Sequence, residues 1–536
     1  MTAHAQTLER PVGGALVQLL KDYGVDTVFG IPGVHNNELY RGLLNSGLRH
    51  VLPRHEQGAG FMADGYARAT GRPAVCFTIT GPGLANIMTP LGQAYSDSVP
   101  LLTISSALDL KDLGQGFGRL HEITDQRAAA CTVTGFAATA TSPAAVPQLV
   151  ARAFNSFHSA RPRPAYVEIP IDVLAAPASG DWRARALGAL PDPEAAAVEE
   201  AARLLSEAER PMVVVGGGAI GASAPLRKLV KRLGAASLPT IAGKGVIPDS
   251  DPLCTGANLV APEARDFLAS ADVVLAIGTE LAETDHYSAG LTFGGALIRV
   301  DLDPHKLADR YPADVAILAD AKAVACAILD ALPKGGAVRS KITADEVADL
   351  ARAITASEDP AWAFRRGVLK EIRSALPDDA IVATDMTQLA YGGNQAFPVE
   401  QPRSWLHPVG FGTLGYGLPV AIGAKIGRPD RPVVAIAGDY GFQYTLNELA
   451  VAAELELPLV VILWNSQSLG AIIDDMDRKG IGHIATHPRN PDFQMLAKAY
   501  GCRPFQVTTM AGIGESLAAA LTHQGPSLVE IDAGSL

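Results

Sequence analysis

Short runs of Val, Ile, Leu and Ala recur along the chain, each ending at a polar or glycine-containing turn before a longer helical pattern. Four examples are PMVVVGGG at 211–218, ADVVLAIGTE at 271–280, PVVAIAGDYG at 432–441 and PLVVILWNS at 458–466. Uninterrupted apolar runs of this length are typical of strands buried on both faces, and their alternation with helices is typical of parallel sheets. The pattern therefore predicts an α/β protein built from doubly wound parallel sheets.

Two stretches without this pattern divide the chain. Residues 175–194 are rich in Ala, Pro and Gly, and residues 333–346 form a second polar, glycine-containing stretch, so both are predicted to be linkers. They separate three predicted domains at approximately 1–180, 190–335 and 350–536. A length of 536 residues is consistent with three domains of ordinary size.

Charge and cysteine content exclude several classes of function. The chain has 44 Lys and Arg against 56 Asp and Glu, a net charge of −12, which argues against the basic face that nucleic-acid binding needs. Five cysteines without a CxxC pair exclude a zinc ribbon and a disulfide framework, and favour a reducing compartment. Because no run approaches the length of a membrane span and the polar N-terminus does not resemble a signal peptide, we expect a cytoplasmic protein without a membrane partner.

The strongest local signal lies at two strand ends. The apolar run VVAIA ends in Gly438-Asp439-Tyr440-Gly441, and the run LVVILW ends in Asn465-Ser466-Gln467-Ser468. Both clusters should lie at the carboxyl ends of strands in one βαβ unit, where open α/β sheets bind ligands. A carboxylate beside neutral oxygen atoms suits Mg²⁺, and the glycines allow backbone to approach phosphates. Taken alone, a Gly-Asp pair at a strand end is equally an ordinary turn.

The segment from Gly438 to Ser466 resembles the thiamine diphosphate motif, in which Gly-Asp-Gly is followed, after a helix and a strand, by Asn-Asn. Other blocks resemble the acetolactate synthase and benzaldehyde lyase branch of the same family, in the same order: VFGIPGVHNNELY (28–40), RHEQGAGFMADGYARATGRPAVCFTITGPGLAN (54–86), PAYVEIPIDV (164–173), RVDLDP (299–304) and GFGTLGYGLPVAIGAK (410–425). The resemblance implies a pyrimidine-binding, a central and a diphosphate-binding domain, and thiamine diphosphate and Mg²⁺ as cofactors.

The same resemblance implies that Mg²⁺ is held by the side chains of Asp439 and Ser466 and by the backbone carbonyl of Ser468. This chain departs from the family pattern at two positions. Tyr440 stands where the family usually has Gly, and Ser466 stands where it has the second Asn. Because a Ser hydroxyl is a neutral oxygen donor with a shorter reach than an amide, we expect a working metal site that is weaker than the usual one.

Glu56 follows the apolar stretch HVLP at the start of a helix of small residues, so its carboxyl group is expected to be largely buried. Burial of an unpaired carboxylate is costly. The resemblance implies that Glu56 hydrogen-bonds the aminopyrimidine ring of the cofactor and so activates it. Without the neighbouring blocks, a Glu at a helix start would be explained by the helix dipole alone.

Further cofactor contacts follow from the resemblance. Leu414 would hold the cofactor in its bent form, and the carbonyl of Gly412 would accept a hydrogen bond from its amino group. On the sequence alone, Leu414 is equally a core residue. The remaining implied cofactor contacts are Pro32, Gly83, Asn86, Met386, Thr387, Gln388, Gly438, Tyr440 and Gly441.

Two of the twelve histidines are candidates for proton transfer. His35 follows the turn at Gly33, and His121 lies in GRLHEITDQ; both align with positions that face the thiazolium ring in this branch. A neutral imidazole there could transfer protons during addition and product release. A lone histidine in a loop is more often a surface group.

The segment SLGAIIDDMDRKGIGH at 468–483 is predicted to be a helix whose first turn lines the substrate pocket. Ile472, Asp474 and Asp475 are the candidate substrate contacts. Helical spacing places Asp474 and Asp477 on one face, with Asp475 about 100° away. A charge run is usually a solvated helix face, but a carboxylate at the pocket would pair with a cationic substrate, and best with a guanidinium.

Together, these features imply thiamine diphosphate- and Mg²⁺-dependent, non-oxidative decarboxylation of a 2-oxo acid. Within the family, the resemblance is greatest to enzymes that convert 5-guanidino-2-oxopentanoate to 4-guanidinobutanal and CO₂. An acetolactate synthase-like carboligase and a non-catalytic relative without cofactor are the alternatives. FAD is not expected, because CTGANLVAPEA at 254–264 lacks the family's Gly-x-His-Gly element. The family also implies a homodimer or homotetramer with sites at the subunit interface.

Overall fold

The computed structural model describes residues 10–334 and 339–536. Some of the predicted segments lie partly outside the described residues. These are the polar N-terminal segment with the start of the predicted domain 1–180, the end of the predicted domain 190–335, and part of the predicted linker 333–346. Within them, three separate parallel sheets alternate with helices along the chain. The predicted α/β class with parallel sheets is therefore confirmed.

The first sheet is built from the N-terminal third of the chain. Its strands are β1 (Thr27–Gly30), β2 (Arg49–Val51), β3 (Ala74–Thr78), β4 (Leu101–Ala107), β5 (Phe136–Thr139) and β6 (Ala165–Pro170). They are all parallel and lie in the order β2-β1-β3-β4-β6-β5. The helices of this segment are α1 (Val12–Asp22), α2 (Asn37–Leu43), α3 (Glu56–Thr70), α4 (Pro82–Ser96), α5 (Gln126–Cys131), α6 (Ala145–Ser159) and α7 (Ile171–Ala175).

The second sheet lies in the middle of the chain. Its parallel strands are β7 (Pro211–Val215), β8 (Ala236–Pro239), β9 (Val273–Ile277), β10 (Ala296–Asp301) and β11 (Val315–Leu318), in the order β11-β10-β9-β7-β8. The helices here are α8 (Ala195–Glu207), α9 (Ser223–Leu233), α10 (Pro262–Ala269), α11 (Glu283–His286) and α12 (Ala321–Ala331), with 3₁₀ turns at Gly217–Ala222, Ile241–Gly243 and Pro304–Leu307.

The third sheet is built from the C-terminal third. Its parallel strands are β12 (Ile381–Thr384), β13 (Trp405–Leu406), β14 (Val433–Gly438), β15 (Leu459–Asn465), β16 (Arg503–Val507) and β17 (Ser527–Asp532), in the order β13-β12-β14-β15-β17-β16. The helices are α13 (Ala344–Ala356), α14 (Pro360–Ala375), α15 (Gln388–Ala396), α16 (Gly417–Gly427), α17 (Asp439–Phe442), α18 (Leu449–Glu454), α19 (Gly470–Arg478), α20 (Phe493–Ala499) and α21 (Met510–Leu521), with a 3₁₀ turn at Leu446–Glu448.

The first and third sheets have the same strand order. In each, the first strand pairs with the second on one side and with the third on the other. The topological switch point therefore lies between β1 and β3 in the first sheet and between β12 and β14 in the third. Ligands of open α/β sheets bind in the crevice at the carboxyl ends of such strands. This topology predicts that ligands bind at the loops that follow β1, β3, β12 and β14.

The described chain forms two compact units. The first contains the described residues up to Ala189 together with Ile422–Arg428 and Thr445–Leu455, and the second contains the described parts of Leu190–Ala421, Pro429–Tyr444 and Glu456–Leu536. Each has buried cores of branched aliphatic and aromatic side chains. No helix among the described residues is long and apolar enough to cross a membrane.

Candidate active site

Glu56 is the first residue of α3, and its side chain is only 8% exposed. His55 is the N-cap of this helix, and its Nδ1 accepts a hydrogen bond from the backbone N–H of Gln57 at 3.1 Å. Oε2 of Glu56 accepts a hydrogen bond from Nδ2 of Asn86 in α4 at 2.9 Å. The structure thus brings two of the predicted site residues together and gives the buried carboxylate a fixed orientation.

The loop after β1 contains Pro32 and is held in place by Asn36, which was not among the predicted site residues. Asn36 is fully buried; its Oδ1 accepts from the backbone N–H of Gly33 at 2.7 Å, and its Nδ2 donates to the carbonyl of Ile31 at 3.1 Å. A Cβ on Gly33 would overlap the side chain of Ile79, in the loop after β3 that leads to Gly83. The two loops at this switch point therefore approach each other closely.

His35 and His121 lie together in the first unit, with their ring centroids 4.9 Å apart. Nδ1 of each ring is buried and has no hydrogen-bond partner within the described residues. Burial lowers the pKa of His35, and the neighbouring His121 lowers it further. His35 is therefore neutral at pH 7, and the two buried nitrogens are available to a ligand that can supply their missing partners.

In the second unit, Asp385 ties together the two loops that contain the predicted cofactor contacts. Its buried carboxylate follows β12 and accepts backbone hydrogen bonds from Met386 (2.8 Å), Gly415 (3.1 Å) and Gly417 (3.1 Å). Burial raises the pKa of Asp385 to about 6, against the lowering effect of these donors. The carboxylate thereby positions the half-buried Leu414. The loop after β12 was predicted from the sequence as a cofactor contact, but this role of Asp385 was not.

The predicted glycines lie where backbone and side chains meet closely. Gly412 has a φ of +64°, which favours glycine, and a Cβ there would lie 3.4 Å from Cε of Met386. A Cβ on Gly438 would lie 3.0 Å from Oγ1 of Thr387. A Cβ on Gly441 would lie 2.7 Å from Oδ1 of Asp385 and 3.3 Å from Cδ2 of Leu414. The ring of Tyr440 lies 5.6 Å from that of Tyr444, measured between centroids.

Asp439 is the first residue of α17, immediately after β14, and is buried. Oδ2 accepts a hydrogen bond from Nδ2 of Asn490 at 2.6 Å, and the backbone N–H of Gln467 also donates to the carboxylate. Burial raises the pKa of Asp439. Asn490 also donates to Oδ1 of Asn465 at 3.0 Å. The sequence offered no signal for Asn490, because it lies in an irregular loop far along the chain.

The other predicted metal ligands lie beside this carboxylate in the same loop as Gln467. Oγ of Ser466 donates to the carbonyl of Ser468 at 3.2 Å, and Oγ of Ser468 donates to Oγ of Ser466 at 3.3 Å. No group of three or more His, Cys, Asp or Glu side chains in the described ranges could hold a metal ion. The candidate donor set is therefore one carboxylate with neutral hydroxyl and carbonyl oxygens, which suits a hard cation.

The three neighbouring aspartates of α19 have different side-chain partners. Nε2 of Gln388 donates to Oδ2 of Asp474 at 2.6 Å. Asp475 pairs with Arg478 and Lys479, and Asp477 pairs with His483 at 2.7 Å. Among the described side chains, no Lys, Arg or His pairs with Asp474.

Two further features describe the segment 468–483, which was predicted to line the substrate pocket. The predicted helix at 468–483 is too long, because α19 ends at Arg478 and Gly480 has a φ of +65°. Ile472 is 49% exposed, and a Cβ on Gly470 would overlap the side chain of Gln388. The first turn of α19 therefore lies directly against Gln388, and of the three aspartates of α19, Asp474 is the one that pairs with no Lys, Arg or His among the described side chains.

Comparison with known proteins gives matches to one family along most of the chain. The family descriptions match in chain order: Thiamine pyrophosphate enzyme, N-terminal TPP binding domain at residues 10–142, central domain at 198–332 and C-terminal TPP binding domain at 385–531. The N-terminal match contains Glu56, His35 and His121, and the C-terminal match contains Asp439 and Ser466.

Individual relatives extend over nearly the whole chain. Probable 2-ketoarginine decarboxylase AruI of Pseudomonas aeruginosa is 52% identical over 523 residues, covering 97% of this chain and 93% of that protein. The Acetolactate synthase isozyme 1 large subunit of Escherichia coli is 30% identical, covering 96% and 92%. The Acetolactate synthase large subunit of Corynebacterium glutamicum is 33% identical, covering 93% and 83%. The resemblance predicted from the sequence blocks is confirmed: this chain belongs to the family of thiamine pyrophosphate-dependent enzymes.

Proposed function

We propose that this enzyme decarboxylates 5-guanidino-2-oxopentanoate, which is 2-ketoarginine, to 4-guanidinobutanal and CO₂, with thiamine diphosphate and Mg²⁺. The similarity to a probable 2-ketoarginine decarboxylase supports the reaction class and the substrate. The observation that carries the proposal is Asp474, a carboxylate that contacts the predicted cofactor loop through Gln388 and has no cationic partner among the described side chains.

The residues present fit the metal and the cofactor. The carboxylate of Asp439 is buried, its pKa is raised by that burial, and the donors to it are the neutral amide of Asn490 and backbone N–H groups. A divalent cation would supply the missing positive charge, and Ser466 and Ser468 offer neutral oxygen ligands. In the first unit, the unpartnered Nδ1 atoms of His35 and His121 are available to the organic ligand.

Thiamine diphosphate, when bound, would supply a nucleophilic carbon for the 2-oxo group and an electron sink for the loss of CO₂. The protein supplies orientation and proton transfer. Asn86 orients the carboxyl group of Glu56 through Oε2, so we assign Oε1 to the pyrimidine nitrogen of the cofactor, where Glu56 holds a proton. His35, which is neutral at pH 7, exchanges protons with substrate and product at Nδ1.

Asp474 is the proposed specificity residue for the cationic end of the substrate. A planar guanidinium presents parallel N–H donors that match a carboxylate. Each carboxylate oxygen can accept two hydrogen bonds, so Oδ1 of Asp474 and the second lone pair of Oδ2 remain for the guanidinium when Oδ2 accepts from Gln388. Asp475 is already neutralised by Arg478 and Lys479, which makes it the weaker candidate of the two predicted carboxylates. Ile472, on the same exposed turn, is proposed to contact the aliphatic part of the substrate.

We also propose that the enzyme works as a cytoplasmic homodimer or homotetramer, in which Glu56 of one copy and Asp439 of another contribute to the same site, as the family resemblance implies. The five cysteines of the sequence are free thiols in the structure, consistent with a reducing compartment. The relatives named acetolactate synthases support carboligation as a second candidate function. In that reaction a second carbonyl compound, rather than a proton, is the electrophile after CO₂ is lost.

A screen of CO₂ release over 2-oxo acids with neutral, acidic and guanidino tails tests the substrate assignment. We expect the guanidino compound to have the largest kcat/KM and to give its aldehyde in an amount equal to the CO₂ released. A preference for pyruvate with an acetolactate product would establish the carboligase instead. Calorimetric titration with thiamine diphosphate, with and without Mg²⁺, would identify a non-catalytic relative by the absence of binding.

Asn490→Ala is expected to weaken Mg²⁺-dependent cofactor binding roughly 10- to 100-fold, because outer-shell partners of metal ligands typically contribute this much. The variant removes the amide that orients Oδ2 of Asp439. Titration of the apoenzyme with Mg²⁺ at fixed thiamine diphosphate, followed by calorimetry, measures the change. Asn155→Ala, at an exposed asparagine of α6, is the control; an equal effect in both variants would contradict the assignment.

A further inference from the structure

Glu448 is a buried acidic residue that the mechanism does not use. It ends the 3₁₀ turn Leu446–Glu448, belongs to the first compact unit and is 0% exposed. Its two carboxylate oxygens lie 3.2 and 3.0 Å from the backbone nitrogen of Arg54, which donates to them, and the backbone N–H of His55 is a second donor. These two amides immediately precede Glu56.

The carboxylate also lies against the first turn of α3. A Cβ on Gly58 would overlap Oε1 and Cδ of Glu448, so the helix approaches the acid without an intervening side chain. Arg54 and His55, which precede α3, lie beside this carboxylate, and Glu454 in α18 pairs with the Arg54 guanidinium. Nδ2 of Asn447 donates a further hydrogen bond at 3.1 Å.

Burial of a carboxylate at this position is energetically unfavourable, so filling space does not by itself explain Glu448. Burial opposes ionisation of Glu448 and raises its pKa to about 7. A glutamine would occupy the same volume without this penalty, but it offers only one acceptor oxygen and would turn an NH₂ group toward backbone N–H donors. Only the ionised carboxylate can accept from both amides with two oxygens.

We propose that Glu448 is a positioning residue that fixes the chain before α3 and thereby the location of the Glu56 carboxyl group. The consequence for catalysis rests on the proposed role of Glu56, whereas the effect on the backbone of Arg54 and His55 does not. Glu448 therefore acts on the reaction through a residue that it does not touch by its side chain.

The test compares Glu448→Gln with Glu454→Gln, which alters the other acid beside Arg54. In Glu448→Gln, amide hydrogen exchange at Arg54 and His55 is expected to become faster in the enzyme without substrate. The kcat for decarboxylation is expected to fall roughly 10- to 100-fold, because a displacement of about 1 Å in a reacting group has effects of this size. KM should stay close to the wild-type value, and Glu454→Gln should change neither measurement.

The pH dependence of amide protection distinguishes a positioning role of Glu448 from a purely structural role. In the wild type, amide protection at Arg54 and His55 should fall as the pH falls through about 7, because protonation removes an acceptor; in Glu448→Gln it should be independent of pH. Stability follows the opposite sign. The folded pKa of Glu448 lies above the ordinary value of 4.5, so the wild type loses stability as the pH rises from 4.5 to about 7. Glu448→Gln, which does not ionise, should therefore gain in unfolding temperature relative to wild type as the pH rises across this interval.

Gly58→Ala provides a test that keeps the acid. The added methyl group should displace the carboxylate and lower kcat in the wild-type background, but have little further effect in Glu448→Ala, where the space is empty. Additive losses, unchanged exchange at Arg54 and His55 in Glu448→Gln, or an equal loss of kcat in Glu454→Gln would overturn the proposal. Faster exchange together with no decarboxylase activity in the wild type would support the positioning role and refute the proposed function.

Discussion

Glu56→Gln is expected to lower kcat by about 10²- to 10⁴-fold, the range typical for loss of a general acid or base. The substitution keeps the volume of the side chain and an oxygen that can accept the hydrogen bond from Asn86, which lies 2.9 Å from Oε2 of Glu56 in the wild type. It removes the proton that Glu56 is proposed to hold at the pyrimidine nitrogen. The fold should therefore survive while turnover is nearly lost.

Steady-state CO₂ release measures the loss of turnover, and far-ultraviolet circular dichroism tests whether the fold is retained. Glu200→Gln, which changes an exposed acid that pairs with Arg203 in α8, is the matched control and should leave the rate unchanged. A Glu56→Gln enzyme with wild-type kcat would show that the activation role belongs to another residue. Loss of the circular dichroism signal would instead show that the buried carboxyl group is needed for folding.

The fold was predictable where local sequence determines it. The apolar runs at 211–218, 271–280, 432–441 and 458–466 contain β7, β9, β14 and β15, all parallel. The shared strand order of the first and third sheets was not predictable, because it depends on pairings between distant segments, such as Ile381 with Val433. The switch points that collect the site residues therefore became visible only in the structure.

The residues of the candidate site also fall into those that local sequence predicts and those that only long-range contacts reveal. Asp439 and Glu56 stand at a strand end and a helix start, which are local features that a sequence reveals. Asp385, Asn490 and Glu448 act through contacts with residues remote in sequence; Glu448 and Arg54, for example, are separated by 394 positions. No periodicity or motif in a single sequence specifies such pairs, so their positioning roles required coordinates.

The aspartates of α19 show a further limit of prediction from sequence. Helical spacing places Asp474 and Asp477 on one face, yet Asp477 pairs with His483 beyond the end of α19, while Asp474 accepts from Gln388 in α15. Side-chain partners outside the helix thus decide which carboxylate remains available. Spacing alone treats the two residues as equivalent.

Asp474→Asn is expected to lower kcat/KM for 5-guanidino-2-oxopentanoate by about 10- to 100-fold. A hydrogen bond to a charged group contributes about 1.5–3 kcal/mol, and each 1.4 kcal/mol corresponds to a factor of about ten. The amide retains an oxygen that can accept from Gln388, so the first turn of α19 should keep its position. The loss should therefore be confined to substrates with a cationic tail and should appear mainly in KM.

The discriminating measurement is the ratio of kcat/KM for the guanidino substrate to that for a neutral 2-oxo acid of similar length. Asp474→Asn should lower this ratio, whereas Asp475→Asn should leave it nearly unchanged, because Arg478 and Lys479 already neutralise Asp475. Asp474 is exposed, so the wild-type preference should also weaken with increasing salt, and the variant should lose most of that salt dependence. An equal loss for both substrates would mean that Asp474 orients Gln388 and the cofactor loop, and that the guanidinium is recognised elsewhere.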